Sequence, residues 1–120
     1  MDRLLDRDQP QPGSAVFDCH LLQLSTGDVA VCVHGEIDCL TAPILETCLH
    51  EQLVTAPPPA RLEVALVHTT FVGARAITSL VSAADVARRH AVAFQVTGCS
   101  TRLLRVLDLA GVSELLAASR

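Results

Sequence analysis

The sequence predicts a single α/β domain built on a mostly parallel sheet. Three observations carry this. The chain has 120 residues, half of them apolar, which suits one domain with its own core. Short apolar runs alternate with stretches of helical periodicity in the order β-β-α-β-α-β-α. The first two strands are joined by a tight turn and form an antiparallel hairpin, whereas later strands are separated by helices and run parallel.

Residues 15–24, "AVFDCHLLQL", read as the first strand, "STGD" as a turn, and residues 29–34, "VAVCVH", as the second strand. Thr41 is placed to cap a helix over 42–55, with Pro43 in its first turn, where a missing N–H does no harm. Leu45, Cys48, Leu49 and Leu53 recur along it at helical spacing, and "APPPAR" ends it. "LEVALV" at 62–67 is short, apolar and branched, as a buried central strand requires. The pattern changes at Gly73. From there to about Arg89, Ile77, Leu80, Val81, Ala84 and Ala87 mark one helical face.

"AVAFQVTG" at 91–98 is the last clear strand, and Ser100 or Thr101 caps a third helix. Leu103, Leu104, Val106 and Leu107 are expected to form its buried side, and Gly111 to stop it. "VSELLAAS" is a short final element, and the charged, Pro- and Gly-bearing residues 1–14 read as a flexible tail ahead of a domain at 15–120. The expected core comprises Val31, Val33, Leu62, Val64, Leu66, Ile77, Leu80, Val81 and Leu107. Only three residues are aromatic, all Phe, so Leu, Val and Ala must fill it.

Composition narrows function. Net charge is −4 and no basic run exists, which argues against nucleic acid as a partner. The first residues lack the apolar stretch of a signal peptide, and no apolar run approaches the ~20 residues of a membrane span. A cytoplasmic protein without membrane insertion is expected. The five cysteines are odd in number and lack C-x-x-C spacing, which argues against a disulfide framework and a Cys-ligated zinc. Cys32 and Cys48 read as small buried hydrophobes.

No P-loop, no G-x-G-x-x-G after a strand and no G-x-S-x-G elbow is present. His34 and His68 fall near the ends of two prospective neighbour strands. Partly exposed strand-end histidines are the plainer account of them than a metal or proton role. Glu36 and Asp38 share one loop, where turn and cap chemistry explains them better than acid–base catalysis. No catalytic residue, cofactor or metal site is expected.

Three local strings then meet this element order. "VHGEID" with "TAP" resembles the signature of the STAS domain, the fold of anti-sigma factor antagonists. "LEVALVHTTFVGARAI" is similar to that family's third strand and second helix, which usually run L-x-L-D-L-S-x-V-x-F-I-D-S-S-G-L. "VTGCSTRLLRVLDLAGVSELL" resembles its fourth strand, third helix and terminal G-x-x-x-L. The resemblance covers roughly residues 15–118. It implies a four- to five-stranded mixed sheet with helices mainly on one face, and a binding surface around the start of the second helix. It also implies a partner kinase, itself an anti-sigma factor, that phosphorylates the Ser or Thr before the motif glycine.

This sequence departs from that pattern where it matters. Aligned on Phe71, the family's Asp falls on Gly73, its first Ser on Ala74, its phosphoacceptor on Arg75 and its Gly on Ala76. Matching Gly73 to the family glycine puts the acceptor at Val72. Neither register supplies a hydroxyl, and the "LDLS" Asp is replaced by Ala65. No phosphorylation is therefore expected at 72–76. Asp38, Thr41, Gly73, Ala74 and Arg75 are the expected partner-binding residues. The partner class implied is an anti-sigma factor or related regulator, with a homodimer also admitted. An accessory STAS subunit of an ABC-type lipid transporter is the alternative. A third reading makes Cys39 or Cys99 a redox switch in place of the lost serine.

Overall fold

The computed structural model describes residues 17–25 and 27–112. The expected tail at 1–14, residues 15 and 16 of the first strand, Thr26 of its turn and all but Val112 of the final element lie outside the described residues. The elements are β1 (Asp18–Ser25), β2 (Asp28–His34), α1 (Ala42–Leu53), β3 (Arg61–His68), α2 (Ala74–Arg89), β4 (Ala93–Thr97) and α3 (Thr101–Leu109). The sheet order is β1-β2-β3-β4. β1 is antiparallel to β2, and β2–β3 and β3–β4 are parallel.

Alternation along the strands decides which face is covered. Val31 and Val33 of β2, Leu62, Val64 and Leu66 of β3 and Phe94 of β4 join Leu45, Leu49 and Leu53 of α1 and Leu103 and Leu107 of α3 in one core. The opposite face carries His20, Cys32, Glu63 and Gln95, which meet across the strands through their register with Ala65 and Thr97. There Arg61 Nη1 donates to Gln95 Oε1 at 2.9 Å and Thr97 Oγ1 donates to Glu63 Oε2 at 2.7 Å. The result is a two-layer α/β domain with a four-stranded mixed sheet.

Four expectations need correction. The strand expected from 91 begins at Ala93, because Ala91 takes a left-handed φ of 58° and Val92 still bonds back to Ala87 at 2.8 Å. The first helix stops at Leu53, two residues early, ahead of the proline run. The second helix is turned about its axis. Its buried face is Ala76, Ser79, Leu80, Ala83, Ala84 and Ala87, while Ile77 and Val81 are half-buried. Small side chains let α2 sit close to its neighbours, so the larger β-branched residues take the shoulder. In α3 only Leu103 and Leu107 are buried, one turn apart, and Leu104 and Val106 are exposed. Ser100 is its cap, accepting from the Leu103 amide at 3.1 Å.

Among the described residues no helix is long and apolar enough to cross a membrane.

Leu66 is buried at the centre of β3, and Leu66→Ala should cost about 2–5 kcal/mol in urea unfolding. Gly98 and Gly111 both have φ of +75°, but a Cβ on Gly98 would lie 2.8 Å from the Val67 amide nitrogen, whereas one on Gly111 meets nothing within 4 Å. Gly111→Ala should cost about 1–2 kcal/mol for its backbone alone, and Gly98→Ala clearly more. Equal losses at the two glycines would contradict this packing.

Candidate partner-binding surface

Beyond the C-terminal ends of β2 and β3 the two chains stay zipped together. The Gly35 amide donates to the His68 carbonyl at 3.2 Å, Ile37 to Phe71 at 2.9 Å, and Gly73 back to Ile37 at 2.8 Å. Ile37 and Val72 form a parallel bridge, and both side chains are buried. The buried Thr69 hydroxyl donates to the Val33 carbonyl at 3.3 Å. This seam sets the turn at 35–41 beside the start of α2.

Within that turn, Asp38 organises the backbone. Its Oδ1 accepts from the Leu40 and Thr41 amides, each at 3.0 Å, and its carbonyl accepts from Ala42 at 2.8 Å. Thr41 Oγ1 donates to the Glu36 carbonyl at 2.8 Å and accepts from the Asp38 amide at 2.9 Å. Thr41 occupies the residue before α1, as expected of a cap, yet its side chain makes no cap bond. Its backbone is already helical (φ −96°, ψ −19°), and a capping hydroxyl needs an extended one to reach forward. The Thr41 amide, followed by its hydroxyl and the Leu40 amide, holds the Asp38 carboxyl below its ordinary value of 3.8.

Gly73 precedes α2 in an extended conformation (φ −82°, ψ 175°) that any residue adopts. What it supplies is room: a Cβ there would come within 3.3 Å of the Phe71 ring. Ala74 and Arg75 follow, both exposed. Arg75 is no free cation. Its Nη2 lies 3.1 Å from Glu46 Oε1 of α1, and the buried Ser79 hydroxyl donates to the same oxygen at 3.2 Å. A cation in the first turn of a helix opposes the helix dipole, and Glu46 offsets it. The pair is half-exposed, so its net contribution is at most about 1 kcal/mol.

The hydroxyls around this turn differ in access. Thr69 and Ser79 are buried; Thr70 and Thr78 are exposed, and Thr78 donates to the Ala74 carbonyl at 3.2 Å.

Sequence reasoning missed two apolar residues and one acid here. Leu40 is 79% exposed at the tip of the turn and Phe71 is 48% exposed beside Gly73. Phe71 also walls a cleft of about 450 Å³ with Glu36, Thr70, Arg102, Leu103 and Val106. A large apolar residue inside a loop was the available signal for both; Glu46 gave none, because its partner lies on another element.

Of the other chemistry-bearing residues, Cys39 sits in the turn itself, and His34 and His68 end the strands that lead into the seam. His34 and His68 pair in register on β2 and β3, their rings stacked at 4.4 Å, and His20 adjoins them at 5.4 Å. Among the described residues no three His, Cys, Asp or Glu side chains are placed to hold one metal ion. Cys39 is exposed in the turn, and Cys99 is half-buried, its thiol pushed up by burial. Cys32 and Cys48, expected to be buried, are half-buried; Cys48 faces Cys19.

The Asp38 bonds give an acid test. A depressed carboxyl favours the folded state at pH above its ordinary value, and the contribution fades as pH falls through the lower folded value. Below pH 3.8 the native protein should therefore lose stability faster than Asp38→Asn, whose side chain does not titrate. Parallel acid-unfolding curves for the two would contradict the assigned bonds.

Residues 22–119 match the STAS domain family. Among solved structures, an anti-sigma factor antagonist from Mycobacterium paratuberculosis is 26% identical, with a TM-score of 0.62 over 88% of this chain and 86% of that one. A sulfate transporter family protein from Wolinella succinogenes superposes with a TM-score of 0.71 at 18% identity, over 82% and 79% of the two chains. The unphosphorylated anti-sigma factor antagonist SpoIIAA, a Bacillus protein, gives 0.69 at 10% identity, over 82% and 84%. The last two share the fold. No curated protein matches the chain. The family match over 22–119, on a four-stranded mixed sheet with this order of helices, shows that the chain belongs to the STAS domain family.

Proposed function

We propose that the chain is a protein-docking module that binds an anti-sigma factor or a related regulator in the cytoplasm, and thereby controls a sigma factor. The docking surface joins Asp38 and Thr41 of the turn to Gly73, Ala74 and Arg75 at the start of α2. The observation that carries the reading is the backbone seam from Gly35 to Gly73, which holds these two segments in one surface. Leu40 and Phe71 add the exposed apolar anchors that protein interfaces use, with Glu36, Arg75 and Arg102 as a charged rim. The Mycobacterium antagonist supports the choice of partner class, being the relative named above with the higher identity.

The surface works here without a phosphate switch. Residues 72–76 read Val-Gly-Ala-Arg-Ala, so no acceptor hydroxyl exists in them. A phosphoserine would bring about −1.5 to −2 charges to this place; Arg75 and Glu46 together bring none. Binding is then set by abundance of the chain or by another signal.

Affinity capture with mass-spectrometric identification tests the partner class. An anti-sigma kinase should be recovered, and Leu40→Ala and Phe71→Ala should each weaken it about tenfold or more. Arg75→Glu should change chiefly the association rate and its salt dependence. Recovery of a transporter ATPase instead, or affinity unchanged in all three variants, overturns the reading.

Incubation of the native chain with that kinase and ATP should place no phosphate at 72–76. The variant Gly73→Asp, Ala74→Ser, Arg75→Ser, Ala76→Gly should gain one. Phosphate on native Thr69, Thr70, Thr78 or Ser79 that weakens binding would show that a switch persists.

A further inference from the structure

Cys19 and Cys48 are distant in sequence and meet in space. Cys19 is on β1, on the side that faces the core, and Cys48 is on α1. Both residues are half-buried, and their side chains line one recess. They open together onto a pocket walled by Phe17, Asp18, Ile44, Thr47 and Glu51. This is a cluster of two nucleophiles in a solvent-reached recess, and nothing in the docking surface uses it. We infer that Cys19 and Cys48 are a modification site, a dithiol that a neutral hydroperoxide oxidises to an intramolecular disulfide joining β1 to α1.

The pair divides the roles. The neighbouring Cys19 thiol brings the Cys48 thiol down to about 7, so Cys48 supplies thiolate near neutral pH. Cys19 is pushed up, first by its neighbour Cys48 and then by burial, so the pair releases one proton readily and keeps the second. Asp18 and Glu51 set negative charge beside Cys19 and Cys48 respectively. That charge disfavours anionic oxidants such as glutathione disulfide and leaves a small neutral peroxide as the reactant.

The chemistry closes with two electrons. The Cys48 thiolate attacks one peroxide oxygen, the O–O bond breaks, and the departing hydroxide takes up a proton and leaves as water. Cys48 is now a neutral sulfenic acid, so the negative charge that kept Cys19 protonated is gone. The Cys19 sulfur then attacks the Cys48 sulfur, its proton leaves with the sulfenic hydroxyl as a second water, and the S–S bond forms. The two thiols together lose two electrons and the peroxide takes both.

The test is stoichiometric hydrogen peroxide on the full chain at neutral pH, followed by intact mass and peptide mapping without reductant. The expected product is a monomer lighter by about 2 Da, with Cys19 linked to Cys48 and the loss reversed by dithiothreitol. The variant Cys32→Ser, Cys39→Ser, Cys99→Ser should behave the same. Cys19→Ser should instead gain about 16–32 Da on Cys48, since the resolving sulfur is missing. Oxidised native chain should melt about 10 °C higher than reduced chain, as a loop of this length predicts. Peroxide that oxidises Cys39 first, links chains through it, or adds oxygen to Cys48 while Cys19 is present overturns the inference. So does glutathione disulfide reacting faster than peroxide at equal concentration.

Discussion

The hydrogen-bonded seam between residues 35–37 and 68–73 is the constraint on which the rest depends. Three amides, those of Gly35, Ile37 and Gly73, find their acceptors across it. A buried amide left unpaired costs about 1–3 kcal/mol, so the two segments cannot drift apart cheaply. The apolar side of the same seam is Ile37 and Val72, both buried against the helices. Because the seam ends where α2 begins, it places the first turn of that helix. Because it runs into Asp38, it also places the turn from which α1 starts.

Packing follows from those two placements. α1 presents Leu45, Leu49 and Leu53, a narrow stripe of one residue per turn. α2 answers with alanines, a serine and one leucine. A large face meets a small one, which lets the helices approach and brings Glu46 within reach of both Arg75 and Ser79. Ser79 would otherwise be a buried hydroxyl without a partner, so the Glu46 carboxylate serves packing as well as charge.

Much of this was legible in the sequence because it depends on period. Strand alternation marked Val31, Val33, Leu62, Val64 and Leu66, and leucine spacing marked α1. Where the buried residue is an alanine, periodicity has little contrast. Of the face of α2 read from Ile77, Leu80, Val81, Ala84 and Ala87, Leu80, Ala84 and Ala87 are buried and Ile77 and Val81 form its shoulder, while buried Ala76, Ser79 and Ala83 went unread. The same weakness misassigned Leu104 and Val106, since a short helix at the margin of the core buries only one residue per turn. Of the candidate surface, the strings around Asp38 and Gly73 pointed to two segments that the seam brings side by side. The hydroxyl of Thr41 pointed the wrong way, because a cap depends on one backbone angle that composition does not report. The Arg75–Glu46 pair and the Cys19–Cys48 pair were invisible: each joins elements whose distance apart only the fold determines.

The strand order has a consequence for how the surface moves. β2 and β3 are the two strands bonded on both sides, and the seam is their direct continuation. Fluctuations in a sheet begin at its margins, where among the described residues β1 and β4 have one neighbour each, and the centre opens last. The turn bearing Asp38 and Leu40 and the stretch bearing Phe71 and Gly73 are thus anchored in the part of the molecule with the least conformational freedom to lose. A ligand that settles there surrenders little entropy on the protein's behalf. Selectivity would then come from shape held ready in advance, and slow adaptation to a poorly fitting partner is the cost of that readiness.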